Sequence, residues 1–122
     1  MDFEEIKEMS QKYLFQNYGR IEAAFTHGEG PYLYDTEGKK YLDLVAGIAV
    51  NALGYAHPEW VAAVQAQVAR MTHTSNLYYV KEQAELAQRI SEIAPGNLDR
   101  TLFVNSGAEA NEGAMKLAVR YT

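Results

Sequence analysis

The segment Thr101-Leu102-Phe103-Val104 runs into NSGAEANE (Asn105–Glu112) and then GAMKLAVRYT (Gly113–Thr122). A short apolar run, a turn of small residues and a stretch with apolar side chains at Ala110, Ala114, Leu117, Ala118 and Tyr121 read as strand, turn and helix. That is the unit from which α/β folds are built. The spacing predicts a strand over 101–105 and a helix from about Ala108. The first N–H groups of a helix lack intrahelical partners and sit at the positive end of its dipole, which suits an anion such as phosphate. Ser106 offers a hydroxyl, Gly107 has no Cβ and Ala108 is small, so a phosphate can approach closely. Ser is also a good helix cap in its own right. From the residues alone, phosphate binding and self-capping stand as alternatives. Glu109 and Glu112 fall in the first turns, where the dipole favours carboxylates.

The turn is not a standard nucleotide loop. It has neither the Lys-Ser/Thr pair of a Walker A motif nor the third glycine of a dinucleotide fingerprint. GEGPYL (Gly28–Leu33) lacks that third glycine as well, and it lies among strands instead of before a helix.

Working back from the turn, residues 81–94 repeat a helical period through Ala84, Leu86, Ala87, Ile90 and Ile93, and Pro95-Gly96 stops them. The polar and aromatic loop HTSNLYY (His73–Tyr79) precedes that helix. His57-Pro58 opens another helix, whose expected buried stripe is Trp60, Val61, Val64, Val68 and Met71; Pro58 sits in the first turn, where a missing N–H matters least. Upstream, IEAAF (21–25), PYLYD (31–35) and KKYLDL (39–44) read as three short strands of an antiparallel meander. Asp35-Thr36-Glu37-Gly38 supplies one reversal. Asp2 and Glu5 have capping-box spacing at the head of a helix predicted over 2–17. The change at His57 from turn-rich strands to helices is the one candidate domain boundary, dividing 1–56 from 57–122.

The chain has 122 residues, 48% hydrophobic and 22% charged, with a formal net charge of -5 and no cysteine. That is the profile of a globular protein. Scattered Lys and Arg in an acidic chain argue against a nucleic-acid or anionic-membrane partner. The absence of Cys excludes disulfides and thiolate metal sites. His27, His57 and His73 lie in separate segments, so no metal site is expected. The amphipathic N-terminus lacks the basic and apolar regions of a secretory signal, and LVAGIAV (Leu44–Val50) is too short to span a bilayer. A cytoplasmic protein is expected.

Taken together, GEGPYLYDTEGKKYLDLVAGIAVNALGYAHPE, HTSNLYY and LFVNSGAEANEGAMKLAVRYT resemble the N-terminal third of the class III pyridoxal-phosphate aminotransferases, in order and in approximate spacing. The resemblance implies an α/β protein, the N-terminal part of a fold type I PLP-dependent transferase. An N-terminal helix and small antiparallel meander (1–56) would contribute to the small domain. Residues 57–122 would begin the large PLP-binding domain. It further implies that Ser106, Gly107 and Ala108 grip the phosphate of pyridoxal 5'-phosphate and that Glu112 lies close to the cofactor. Tyr32 corresponds to a tyrosine near the substrate carboxylate, and Asn76 falls in a loop near the active site at a homodimer interface. The implied reaction moves the amino group of N-acetylornithine to 2-oxoglutarate, in arginine biosynthesis. Ornithine, succinylornithine, succinyl-diaminopimelate and 4-aminobutyrate are alternative donors. None of Lys7, Lys12, Lys39, Lys40, Lys81 and Lys116 matches the family's Schiff-base lysine, which is expected beyond residue 122. The chain alone is therefore expected to be inactive; a non-catalytic phosphate-binding module is the alternative from another class. Gly113 stands where the family usually has Ala.

Overall fold

The computed structural model describes Met1–Tyr121. The chain divides into two compact units, one running from Met1 to Thr72 and the other beginning at His73.

The first unit opens with α1 (Phe3–Tyr13). Its N-terminus is the expected capping box: the Glu5 N–H donates to Asp2 Oδ1 at 2.9 Å, and the Asp2 N–H donates to Glu5 Oε2 at 3.0 Å. The helix is shorter than the predicted 2–17. Leu14 turns extended, and the Gln16 side chain folds back to donate to the Ser10 and Leu14 carbonyls, satisfying helix-end acceptors before the apolar period has run out. Lys7 pairs with Glu22 and ties the helix to the segment that follows.

Three strands follow in the order β1 (Phe25–Glu29), β2 (Tyr32–Asp35) and β3 (Lys40–Leu42), all antiparallel. The meander is as expected, but its first strand is displaced. IEAAF contributes only Phe25, while the residues that follow it, outside the expected strand, pair His27 with Tyr34, Gly28 with Leu33 and Glu29 with Tyr32. The reversal is made instead by Gly30, at φ +52°, and Pro31. Register is fixed by cross-strand partners that no local pattern names, here the stacked rings of His27 and Tyr34 with centroids 4.6 Å apart. The second reversal is the predicted one. Gly38 takes φ +81°, and Asp35 Oδ1 accepts from the N–H groups of Glu37 and Lys39, both at 2.9 Å.

Beyond β3 lies a short helical turn, α2 (Ala46–Ala49), which the sequence did not announce. It is wound left-handed, with φ of 48° at Ala46, 64° at Gly47, 66° at Ile48 and 61° at Ala49. Such a conformation costs a non-glycine residue about 1–2 kcal/mol. The unit closes with α3 (Pro58–Arg70), with Pro58 in its first turn as predicted.

The second unit holds α4 (Lys81–Ile93) and α5 (Gly107–Tyr121), both within a residue or so of expectation. The strand predicted over 101–105 does not form. A strand exists only through a ladder with a neighbour, and among the described residues the unit has none to offer. The expected buried stripe of α3 is not buried either: Trp60 is 58% exposed and Val68 56%. Among the described residues of each unit no helix packs on another element, and none is fully buried. The amphipathic periods are correct, but the layer that they would face is not supplied by these residues.

Candidate functional site

Ser106 is the hinge between the irregular segment 101–105 and α5. Its hydroxyl accepts from the Glu109 N–H at 3.2 Å, and its carbonyl accepts from the Ala110 N–H at 3.0 Å. Glu109 in turn reaches back, its Oε2 accepting from the Asn105 N–H at 2.7 Å and from Asn105 Nδ2 at 3.3 Å. This is a capping box displaced by one residue at its carboxylate end. Sequence reasoning treated Glu109 only as a dipole-compatible charge; the Ser-x-x-Glu spacing of Ser106-Gly107-Ala108-Glu109 was the available signal.

The cap does not consume the donors that an anion needs. Glu109 takes the N–H before Ser106, and Ser106 takes the N–H after Ala108. The N–H groups of Ser106, Gly107 and Ala108 have no partner among the described residues. Accepting from Glu109 also leaves the Ser106 hydroxyl proton free to donate. Apart from its chain neighbours and the backbone of α5 itself, no atom of the described residues lies within 4 Å of the place where a Gly107 Cβ would be, so the backbone there is open to approach. The two readings left open by the residues are therefore compatible. One serine caps the helix and still presents a hydroxyl beside three free amides at the positive end of a 15-residue helix. Those residues fit a phosphate group.

Glu112 lies one turn further along and pairs with Lys116, with Nζ 2.6 Å from Oε1 and both side chains more than half exposed. Asn76 sits in the loop before α4, its Oδ1 accepting from Gln83 Nε2 at 3.3 Å. It shares a pocket of about 350 Å³ with Tyr78, Tyr79 and residues 101–103, the run that leads into the turn. Tyr32 belongs to the other unit. It stands on β2 with Lys40 Nζ 3.7 Å from its ring centroid. The structure thus gathers Ser106, Gly107 and Ala108 at one helix end with Glu112 on the same helix, brings Asn76 to the neighbouring segment, and leaves Tyr32 in a separate compact unit.

A carboxylate that the sequence reading did not single out is more fully engaged than any of these. Asp43 Oδ1 accepts from the N–H groups of Val45 at 2.9 Å and Ala46 at 3.0 Å, and Oδ2 accepts from the Tyr55 hydroxyl at 2.6 Å. The Tyr55 hydroxyl, followed by the two amides, holds the Asp43 carboxyl below its usual range. The same bond holds the Tyr55 phenol above its own.

Comparison with known proteins gives the family. The family described as aminotransferase class-III matches residues 13–122, and the chain belongs to that family. Over all 122 residues it is 48% identical to an acetylornithine aminotransferase of Methanothermobacter thermautotrophicus, of which it covers 31%. Among solved structures, the acetylornithine aminotransferase of Elizabethkingia anophelis superposes with a TM-score of 0.88 at 34% identity, over 97% of this chain and 30% of that one. An ornithine aminotransferase of Toxoplasma gondii, reported with partial occupancy of PLP at its active site, superposes at 0.87 with 30% identity, over 94% and 26%. The chain therefore spans about a third of the length of the relatives that it matches. Its fold is the N-terminal part of the α/β fold of these enzymes.

Proposed function

We propose that this chain is the cofactor-anchoring part of a PLP-dependent aminotransferase, cytoplasmic and homodimeric in its working form, that moves the amino group of N-acetylornithine to 2-oxoglutarate. The observation that carries the proposal is the set of free amides at Ser106, Gly107 and Ala108 beside a hydroxyl able to donate. Pyridoxal phosphate, when bound, supplies the electron sink for amino-group transfer. This chain's residues would hold its phosphate: the N–H groups of Ser106, Gly107 and Ala108 and the Ser106 hydroxyl would donate to it, and the α5 dipole would favour its charge. Glu112 helps to arrange the surroundings of the bound group, and Tyr32 and Asn76 contact substrate. The boundary between the small-domain and large-domain contributions is proposed at 56/57. The identity of the donor rests on the acetylornithine aminotransferases among the relatives.

The 122-residue chain is proposed to be inactive alone. None of its six lysines stands at the position that matches the family's Schiff-base lysine. The test is a titration of the chain with pyridoxal phosphate, followed by amide chemical shifts. Shifts centred on Ser106, Gly107 and Ala108, reproduced by inorganic phosphate and absent with pyridoxal, are expected. Equal shifts with pyridoxal and pyridoxal phosphate would sink the anchoring role.

A further inference from the structure

The loop from Leu44 to Gly54 poses a problem that its own side chains do not solve. Ala46, Ile48 and Ala49 all have positive φ, at 48°, 66° and 61°. Strain of this kind persists only where the surroundings over-determine it. Leu44 is 86% exposed, Ile48 85% and Val50 80%, so among the described residues no side-chain packing accounts for the winding. What does hold it lies at its base. Asp43 fastens the start of the loop through the Val45 and Ala46 amides, and the Tyr55 hydroxyl fastens its end to the same carboxylate. Tyr55 is itself fixed. Its N–H donates to the Gly30 carbonyl at 2.7 Å and its carbonyl accepts from the Gly30 N–H at 3.0 Å, while its ring covers the bare Cα of Gly28.

We propose that Asp43 and Tyr55 form a clasp that sets the left-handed winding of Ala46–Ala49. The turn's internal bonds depend on that winding: the Ile48 and Ala49 N–H groups donate to the Val45 carbonyl, and those of Val50 and Asn51 to the Ala46 carbonyl, all at 2.9 Å. Without the clasp, the three non-glycine residues relax to negative φ and all four bonds are lost together. The loop also walls a pocket of about 480 Å³ shared with Tyr55, His57 and Trp60. Both residues are positioning residues in this scheme.

Tyr55→Phe removes only the hydroxyl and keeps the ring over Gly28. Amide hydrogen exchange of Ile48, Ala49, Val50 and Asn51 in the full-length homodimer proposed above should accelerate on the order of tenfold, and the β2–β3 ladder should be unaffected. Asp43→Asn should accelerate the same four amides. In the Tyr55→Phe background, Ile48→Gly should restore part of the protection, because glycine enters the left-handed region without steric penalty. Unchanged exchange in Tyr55→Phe overturns the clasp. So does equal loss of protection in the β2–β3 ladder, since the pair would then be a general support of the fold. Failure of Ile48→Gly to restore any protection refutes the role of backbone strain.

Discussion

Gly28 is the position at which one added carbon should have the largest local effect. A Cβ built there lies 2.3 Å from Tyr55 Cγ, 2.7 Å from its Cβ and 2.8 Å from its Cδ1. Carbon atoms prefer about 3.5–4.0 Å, so Gly28→Ala leaves the closest contact about 1.2 Å short. The ring cannot retreat freely, because Tyr55 is held by its hydroxyl on Asp43 and by its backbone on Gly30. Moving Tyr55 by that distance would stretch its 2.7 Å N–H bond to Gly30 beyond hydrogen-bonding range. Overpacking of this kind costs about 1–3 kcal/mol, equivalent to about a 5- to 150-fold rise in the local opening equilibrium at 1.4 kcal/mol per factor of ten. Native-state amide exchange at Tyr55 and Gly30 reads that change directly. Gly19→Ala is the control, since a Cβ there meets nothing within 4 Å. If Gly28→Ala and Gly19→Ala exchange alike at Tyr55, the close approach of ring to strand is wrong.

Other expectations follow from single contacts. Ser106→Ala should weaken the start of α5 by about 1 kcal/mol through loss of the cap and also reduce pyridoxal phosphate binding; unchanged helicity together with unchanged binding would refute both roles. Gly113→Ala should stabilise α5 by about 1 kcal/mol, because the new Cβ meets only Leu102 Cδ2 at an ordinary 3.5 Å; slower exchange of mid-helix amides is the readout, and faster exchange contradicts it. The Asp43 carboxyl is held below its usual range, so its contribution is complete above that range and lost as pH falls through the lowered value. The Tyr55 phenol is held above its usual value, so its contribution is complete below that value and lost as pH rises through the raised one. Protection of the Val45 and Ala46 amides should accordingly form a plateau across neutral pH, and a steep change near neutrality would count against the pair. The isolated chain should self-associate through the exposed apolar faces of its helices; a monodisperse monomer with a sharp cooperative unfolding transition would refute this.

The sequence was most legible where structure is made by neighbours along the chain. The Asp2–Glu5 box, Pro58 at the head of α3, the Asp35–Gly38 reversal and the extent of α4 depend on hydrogen bonds or torsions within four residues, and each is where the pattern placed it. At the candidate site, the small residues 106–108 pointed to an anion. Only the coordinates separated the donors that cap the helix from those that stay free.

What lay beyond the sequence is everything set by a partner far along the chain. The first strand begins at Phe25 because β2 lies opposite it, and residues 101–105 form no strand because no described strand lies opposite them. The winding of Ala46–Ala49 is the clearest case. Alanine and isoleucine have no local reason to adopt positive φ, and a hydroxyl 12 residues from Asp43 supplies the reason. By itself the sequence determined helices α1, α3, α4 and α5, the Asp35–Gly38 reversal and the family, and it offered an anion as one of two readings of the start of α5, since local torsional preference and hydrogen bonding act within a few residues. The tertiary structure alone decided strand register and the handedness of the loop, because these are settled by contacts that the chain makes only after folding back on itself.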